Sequence, residues 1–599
     1  MYLFYIDVTL LLRCVHLLIV SRMSSTNTLP FPWLAQYASN YHHWRIAERN
    51  GQRIYYRPLG FVENAFDSDG IYFEGRADVH ALFRLKARIR CSEKDARERI
   101  TAAWATLQLH HGLLQAKALN RQDDMDQGVP SNRDRYFVVE SPGDSHTALE
   151  VARNSLEFVG DHHNDVDQDD FHYHAQNAAR ILDEKHGLSK LFVLPFSRNS
   201  DSTTSLRFAT VMGHQITDGL SNYNWISHFI RLLNTSTTSL LGSIPTLIEN
   251  MHASLPVAQE DLYPQVSGNI ARARWFWLLT LVLRHVRKPH PAAFSNPLRR
   301  SAPRPKAILP PLTYASVLNY NRPPPLNTLT SKVYLSHTST QRLHRLCRSV
   351  SCSIGAGCFV IVAISMMNMY ALRHPSIPDS ERAPFIGSFP INARSFLARP
   401  TEPNSCMLAF SDGVVLPWLS PTLPLDGRIR LLLRTAHRQL SRYQKRRRVE
   451  DADAKVYMSS RGAGRVVAMN YISAVERFEA KLPEHLRTPG HKGPQGDLSV
   501  IPNGSMATCG VSSVGKAHPG LQPGLYDLNG DGGDGLVVDL DDMRQNVRAR
   551  DGEFLVGISG SDEKISINVS YDGNAIDEQL VQKWEQMMMD LLEEQKARL

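Results

Sequence analysis

The stretch from Ala209 to Trp225 reads ATVMGHQITDGLSNYNW, and in it His214, Asp218 and Gly219 stand where an apolar run gives way to a turn. Neutral imidazole is a competent general base near pH 7, and at the end of a strand the sheet can hold it rigid while its ring faces a cleft. Asp218 precedes a helical pattern, so its plain role is an N-cap, and Gly219 would permit a tight backbone path. His214 is therefore the candidate catalytic residue, with a packed structural histidine as the bland alternative.

Other chemistry-bearing stretches read less sharply. DLNGDGGDGLVV, from Asp527, starts like a calcium loop with Asp527, Asn529, Asp531 and Gly532. It then puts Val538 where the bidentate glutamate belongs and Asp534 in a normally apolar slot, so it reads as a solvated turn. GDHHNDVDQDDFHYH, from Gly160 to His174, has no metal-site spacing and reads as a polar surface loop, and no metal ligands are assigned anywhere. RYQKRRRVEDADAK reads as a solvated helix face or mobile loop, with Arg446, Arg447 and Arg448 as an alternative contact for coenzyme phosphates. There is no G-x-S-x-G elbow, and SSRGAGRVV lacks both the third glycine of a dinucleotide fingerprint and the lysine of a P-loop. The seven cysteines include no C-x-x-C pair, which fits a reducing compartment, and Cys358 sits in an apolar run as a small core residue.

The elements that must position His214 alternate between the two periodicities. SLRFATVMGH alternates as a strand, and GLSNYNWISHFIRLLN places Leu220, Ile226, Phe229, Ile230 and Leu233 on one helical face. Upstream, VHALFRLKARIRCS reads as a strand and SEKDARERITAAWATLQLHHGLLQAK as a capped helix. Downstream, SKVYLSHTSTQRLHRLCRSV reads as strand then helix, SIGAGCFVIVAISMMNMYAL as a buried helix entered at Ser353, and APFIGSFPINARSFL as strand then loop. The end of the chain reads as a two-stranded hairpin and a closing helix.

These patterns fill 599 residues of ordinary globular composition, 42% hydrophobic and 21% charged, enough for two α/β sandwich lobes. The expected division is a first lobe over 23–245, a basic, proline-rich connection over 246–330, and a second lobe over 331–599. From Ala271 to Pro325 there is no acidic residue, while ten arginines and lysines accumulate. Within that run ARARWFWLLTLVLRHVRK reads as a helix packed on a lobe, with a membrane surface as the alternative. The net charge of +8 is too small to argue for nucleic acid. Residues 1–22 are apolar without a basic leader and read as an upstream extension of a start at Met23; a signal anchor would instead tie the protein to the endoplasmic reticulum, the expectation otherwise being cytoplasmic. No later segment approaches the ~20 continuous apolar residues that span a bilayer.

HQITDG resembles the HxxxDG signature of the superfamily that contains chloramphenicol acetyltransferase, plant and fungal CoA-dependent acyltransferases, and condensation domains of nonribosomal peptide synthetases. FIGSFPINARSFL, ATCGVSSVGKAH and SINVSYDGNAIDEQLVQKW are similar to further stretches of those proteins, so the resemblance runs from about Leu29 to Leu592. Length and layout resemble the fungal secondary-metabolite O-acetyltransferases related to trichothecene 15-O-acetyltransferase. The resemblance implies two chloramphenicol-acetyltransferase-like lobes forming a tunnel, a monomer, and no tightly bound cofactor. Acetyl-CoA or another acyl-CoA would be the co-substrate and a small-molecule alcohol the acceptor. It also implies that His214 deprotonates that alcohol, and that Asp218 faces away and pairs with Arg394 of the second lobe. The DFGWG motif of plant members is absent, Gly213 stands where condensation domains double the histidine, and Ser513 stands where asparagine is common. The oxyanion partner and CoA-binding residues thus stay unassigned, Ser512 and Ser513 being guesses. Two other readings stay open: a noncatalytic binding protein of the same fold, and a condensation-type enzyme using a carrier-bound acyl group.

Overall fold

The computed structural model describes residues 31–49, 51–120, 135–286, 290–443, 457–458, 462–491, 493–497, 499–500, 507–516, 518–530, 533–561 and 563–593. The segment 1–22, Arg446 to Arg448, and Asp531 and Gly532 lie outside them.

The architecture is mixed α/β, with one large sheet in each half of the molecule. The first sheet has the spatial order Leu536–Val547, Val79–Ile89, Thr204–Met212, Ser189–Val193, Leu156–Phe158. Helices Glu93–His110 and Gly219–Leu233 cover it, burying Trp104, Trp225, Ile226, Phe229, Ile230 and Leu233, while Leu220 stays half-buried. Ser92 caps the first of these helices, its hydroxyl accepting from the Asp95 amide at 3.1 Å, as its capping pattern requires.

The second sheet has the order Thr328–Tyr334, Ile565–Asp572, Phe554–Gly560, Cys509–Lys516, Phe385–Ser388, Val414–Leu416. It packs on helix Ile354–Arg373, entered at Ser353, whose hydroxyl accepts from the Ala356 amide. This helix corrects one expectation: at 20 residues with mean hydropathy 1.8 it is long and apolar enough to cross a membrane. Here it is the core of the second half, with Val360, Val362, Ala363, Ile364, Met366 and Met367 all at 0% exposure.

The strand Leu536–Val547 falls within the span assigned to the second lobe, yet it pairs antiparallel with Val79–Ile89 over its whole length. A strand's partner is set by which exposed edge its pattern fits, not by sequence distance. The connection is also more ordered than a linker. Ile270–Val286 is a helix that buries Phe276, Trp277 and Leu281 against Tyr471, and the first strand of the second sheet already begins at Thr328. Part of the acid-free run is paired with acids from elsewhere: Arg284 meets Glu476, Arg300 meets Asp577 and Glu578, and Arg322 meets Glu74. The stretch expected as a polar loop from Gly160 is in its second part a helix, Gln168–Asn177, with His172 and His174 buried. Among the described residues no group of histidine, cysteine and carboxylate side chains has metal-binding geometry.

Asn177 joins the halves. Its side-chain amide donates to the carbonyls of Thr328 and Tyr173 at 2.8 Å each, and its carbonyl accepts from the Thr328 amide at 2.8 Å. Asn177→Ala would leave those buried backbone groups unpaired, at about 1–3 kcal/mol. The expected outcome is a lower urea midpoint with unchanged slope, read by circular dichroism.

Candidate active site

His214 sits on a turn that leaves the strand Thr204–Met212. The Gly213 amide donates to the Leu188 carbonyl at 2.9 Å, and the Ile216 amide donates back to the Gly213 carbonyl at 3.1 Å, which closes the turn around the histidine. Its ring lies flat on Phe66, with centroids 3.9 Å apart and planes within 6°. On the other side its Nδ1 is 4.0 Å from Cys406 Sγ. Burial, the largest influence, brings the imidazole pKa down to about 4; Arg550 adds in the same direction, while backbone groups and Asp218 oppose it. His214 is therefore a neutral base at pH 7.

Phe66 belongs to helix Phe61–Tyr72, which no sequence motif singled out. The same helix fixes the turn a second time: the Gln215 side chain donates to Asp67 Oδ1 at 3.3 Å, and Asp67 is held by Arg135 at 2.7 Å. A Cβ on Gly213 would stand 2.4 Å from Gln215 Oε1, so a larger residue there would have to displace the Gln215 side chain that bonds Asp67.

The Asp218 carboxylate points away from His214. Oδ1 accepts from the amides of Leu220 at 3.1 Å and Ser221 at 3.0 Å, capping helix Gly219–Leu233. Oδ2 accepts from Arg394 Nη1 at 2.8 Å and from the Met407 amide at 2.9 Å. Arg394 and Met407 come from the second half, where the short strands Pro390–Asn392 and Leu408–Phe410 form a ribbon. Both side chains of the ion pair are below 10% exposed, at 8% for Arg394 and 2% for Asp218. The carboxylate is thus fully occupied by donors from both halves.

Gly219 plays a smaller part than the tight path expected of it. A Cβ there would meet only Gln545 Nε2 and Val514 Cγ1, both at an ordinary 3.6 Å. Val514 lies on the strand Cys509–Lys516 and brings the second sheet against the start of the helix. Of the two serines beside it, Ser513 turns to the core and hydrogen-bonds the Cys358 thiol. Cys406 went unnoticed in the sequence because nothing local marks it. Burial, then Asp218 and Glu63, push its thiol well above the usual range, so it is no thiolate nucleophile at neutral pH.

No family model and no curated protein matches this sequence. Among solved structures the chain is similar to the trichothecene 15-O-acetyltransferase from Fusarium sporotrichioides, with TM-score 0.59 and 12% identity over 95% of this chain and 99% of that one. Weaker likenesses are the condensation domain from the monacolin K polyketide synthase, at TM-score 0.49 and 7% identity over 91% and 97%, and the first condensation domain of the calcium-dependent antibiotic synthetase, at 0.47 and 10% over 89% and 96%. The mixed α/β, two-lobed fold is shared with the trichothecene acetyltransferase.

Removing one member of a buried ion pair costs about 3–5 kcal/mol. Arg394→Ala is expected to lower the unfolding midpoint strongly, and Asp218→Asn to do the same while moving the pH dependence of any activity only slightly, to lower pH, since Asp218 is a minor influence that raises the His214 pKa. Thermal unfolding together with a pH profile of the surviving folded fraction checks both.

Proposed function

We propose that this chain is an O-acyltransferase that moves an acyl group, acetyl in the simplest case, from coenzyme A to a hydroxyl of a fungal secondary metabolite. The carrying observation is the division of labour in HQITDG: Asp218 is consumed by the helix cap and Arg394, leaving His214 as a neutral base between the halves. The likeness to an acetyltransferase of secondary metabolism supports the reaction class. A trichothecene-like alcohol is the first acceptor to try.

In this reading a ring nitrogen of His214 takes the acceptor's hydroxyl proton as its oxygen attacks the thioester carbonyl. The tetrahedral intermediate collapses with cleavage of the C–S bond, and the departing thiolate of coenzyme A recovers the proton from the imidazolium. No acyl-enzyme forms, consistent with the protonated state of Cys406. Phe66 holds the ring plane and the low-dielectric surroundings keep it uncharged between turnovers.

His214→Ala, checked for folding, should abolish acceptor-dependent release of thiol from acetyl-CoA; release at the wild-type rate would overturn the assignment. The pH profile follows from the depressed imidazole. Below the ordinary value of 6.5 the unfolded chain binds a proton that folded His214 refuses until about 4, so this group's contribution to stability falls as pH drops through that window. The base stays active there: kcat/KM should hold level below pH 6.5, with its acidic limb near 4, and a limb at 6.5 would contradict a buried base.

A further inference from the structure

A small cleft opens beside the His214 site, between helix Phe61–Tyr72, the strand Leu408–Phe410 and helix Arg465–Lys481. The cleft and the histidine share a wall: Val62, Leu408 and Phe410, which line the cleft, pack in one cluster with Phe66 and Cys406, the two side chains that flank the His214 ring.

Most of the lining is apolar or aromatic, but Arg477 and Lys481 enter it one turn apart on the same helix. Among the described residues nothing bonds or pairs with the Lys481 ammonium, and Arg477 has a single hydrogen bond, from Nε to the Ser473 carbonyl at 3.0 Å. The acids nearby are engaged elsewhere. Asp69 is shared by Arg550 at 3.0 Å and Arg76 at 2.6 Å, and Glu476 is held by Arg284 and His285. Glu260, which also lines the cleft, accepts from the Phe61 amide at 2.9 Å and so caps the helix, and burial lifts its carboxyl toward the neutral form. Asp69 acts on Lys481, and Glu476 and Asp412 on Arg477, only from a distance, so among the described residues each half-buried cation lacks an ion pair of its own, and sites that break the pairing rule in this way are where ligands bind. Burial, with Arg550, Arg477 and Arg76 adding to it against Asp69, brings the Lys481 ammonium down to about 8; burial and then Arg284 bring Arg477 to about 10.

We propose that this cleft seats the acceptor and that Arg477 and Lys481 bind an anionic oxygen group on it, a carboxylate in the simplest case, so that the substrate is an acidic alcohol and not a neutral one. The word acceptor rests on the acyl-transfer reading above; the anion site does not. The same chemistry is offered by the phosphates of coenzyme A, and the test separates the two sources.

Benzoate and its neutral analogue benzamide serve as probes, with binding read by calorimetry on the full chain and no turnover required. Benzoate should bind about ten-fold or more tighter than benzamide, the equivalent of one ion pair worth ~1.4 kcal/mol. That preference should vanish in Lys481→Met and Arg477→Met, with the affinity for coenzyme A unchanged. Equal binding of the two probes, absence of benzoate binding, or a preference that survives in both variants would overturn the site. A loss of coenzyme A affinity in the variants would give the cations to the coenzyme and overturn the acceptor assignment. Lys481→Met removes a charge without emptying the space its stem occupies, so folding should survive, and unfolding midpoints check that it does. A protein that shows the benzoate preference yet transfers no acyl group would sink the catalytic reading while leaving the anion site standing.

Discussion

Everything at the His214 site depends on how one carboxylate is shared. Asp218 accepts two amides of its own helix on one oxygen and, on the other, a guanidinium and an amide from a ribbon belonging to the other half. Buried charge is tolerated only when it is compensated, so this carboxylate forces the two halves into one relative position. The helix cannot start where it does unless Asp218 caps it, and Arg394 cannot be buried unless Asp218 meets it. The His214 turn, five residues or fewer from both constraints, inherits its geometry from them. Helix Phe61–Tyr72 then sets the ring itself, by stacking from Phe66 and by the Asp67 bond to Gln215.

The charge distribution follows the same rule on a larger scale. The acid-free connection would be an open basic surface if it ran free, but its arginines reach acids on the closing helix, on the helix containing Glu476 and on the first half. At the cleft, by contrast, Arg477 and Lys481 have no ion pair among the described residues.

The parts of this structure legible in the sequence are those written within about one helix turn. The strand to Met212, the Asp218 cap, the Ser92 and Ser353 caps and the closing hairpin all announce themselves through period and capping residues. The pairing of Asp218 with Arg394 came from resemblance, since nothing local links residues 176 apart. Phe66, Cys406, Arg477 and Lys481 were invisible for the same reason: each is an ordinary residue until the fold sets it beside the cleft. The polar stretch before His174 misled because helix Gln168–Asn177 buries two histidines that composition alone would place at the surface. The strand Leu536–Val547 was legible as a strand but not as a member of the first sheet, because alternation names a face and not a partner.

That strand also fixes the order of events when the protein is made. Leu536 pairs with Ile89, so roughly 450 residues leave the ribosome between them, about half a minute to a minute and a half at ~5–20 residues per second. Once Thr204–Met212 has emerged, the strand Val79–Ile89 has its inner neighbour but still an unpaired outer edge, the kind of surface on which nascent chains stick together. The first sheet is therefore begun early and finished last, and a cell producing this chain has to shield that edge until nearly the whole sequence has emerged.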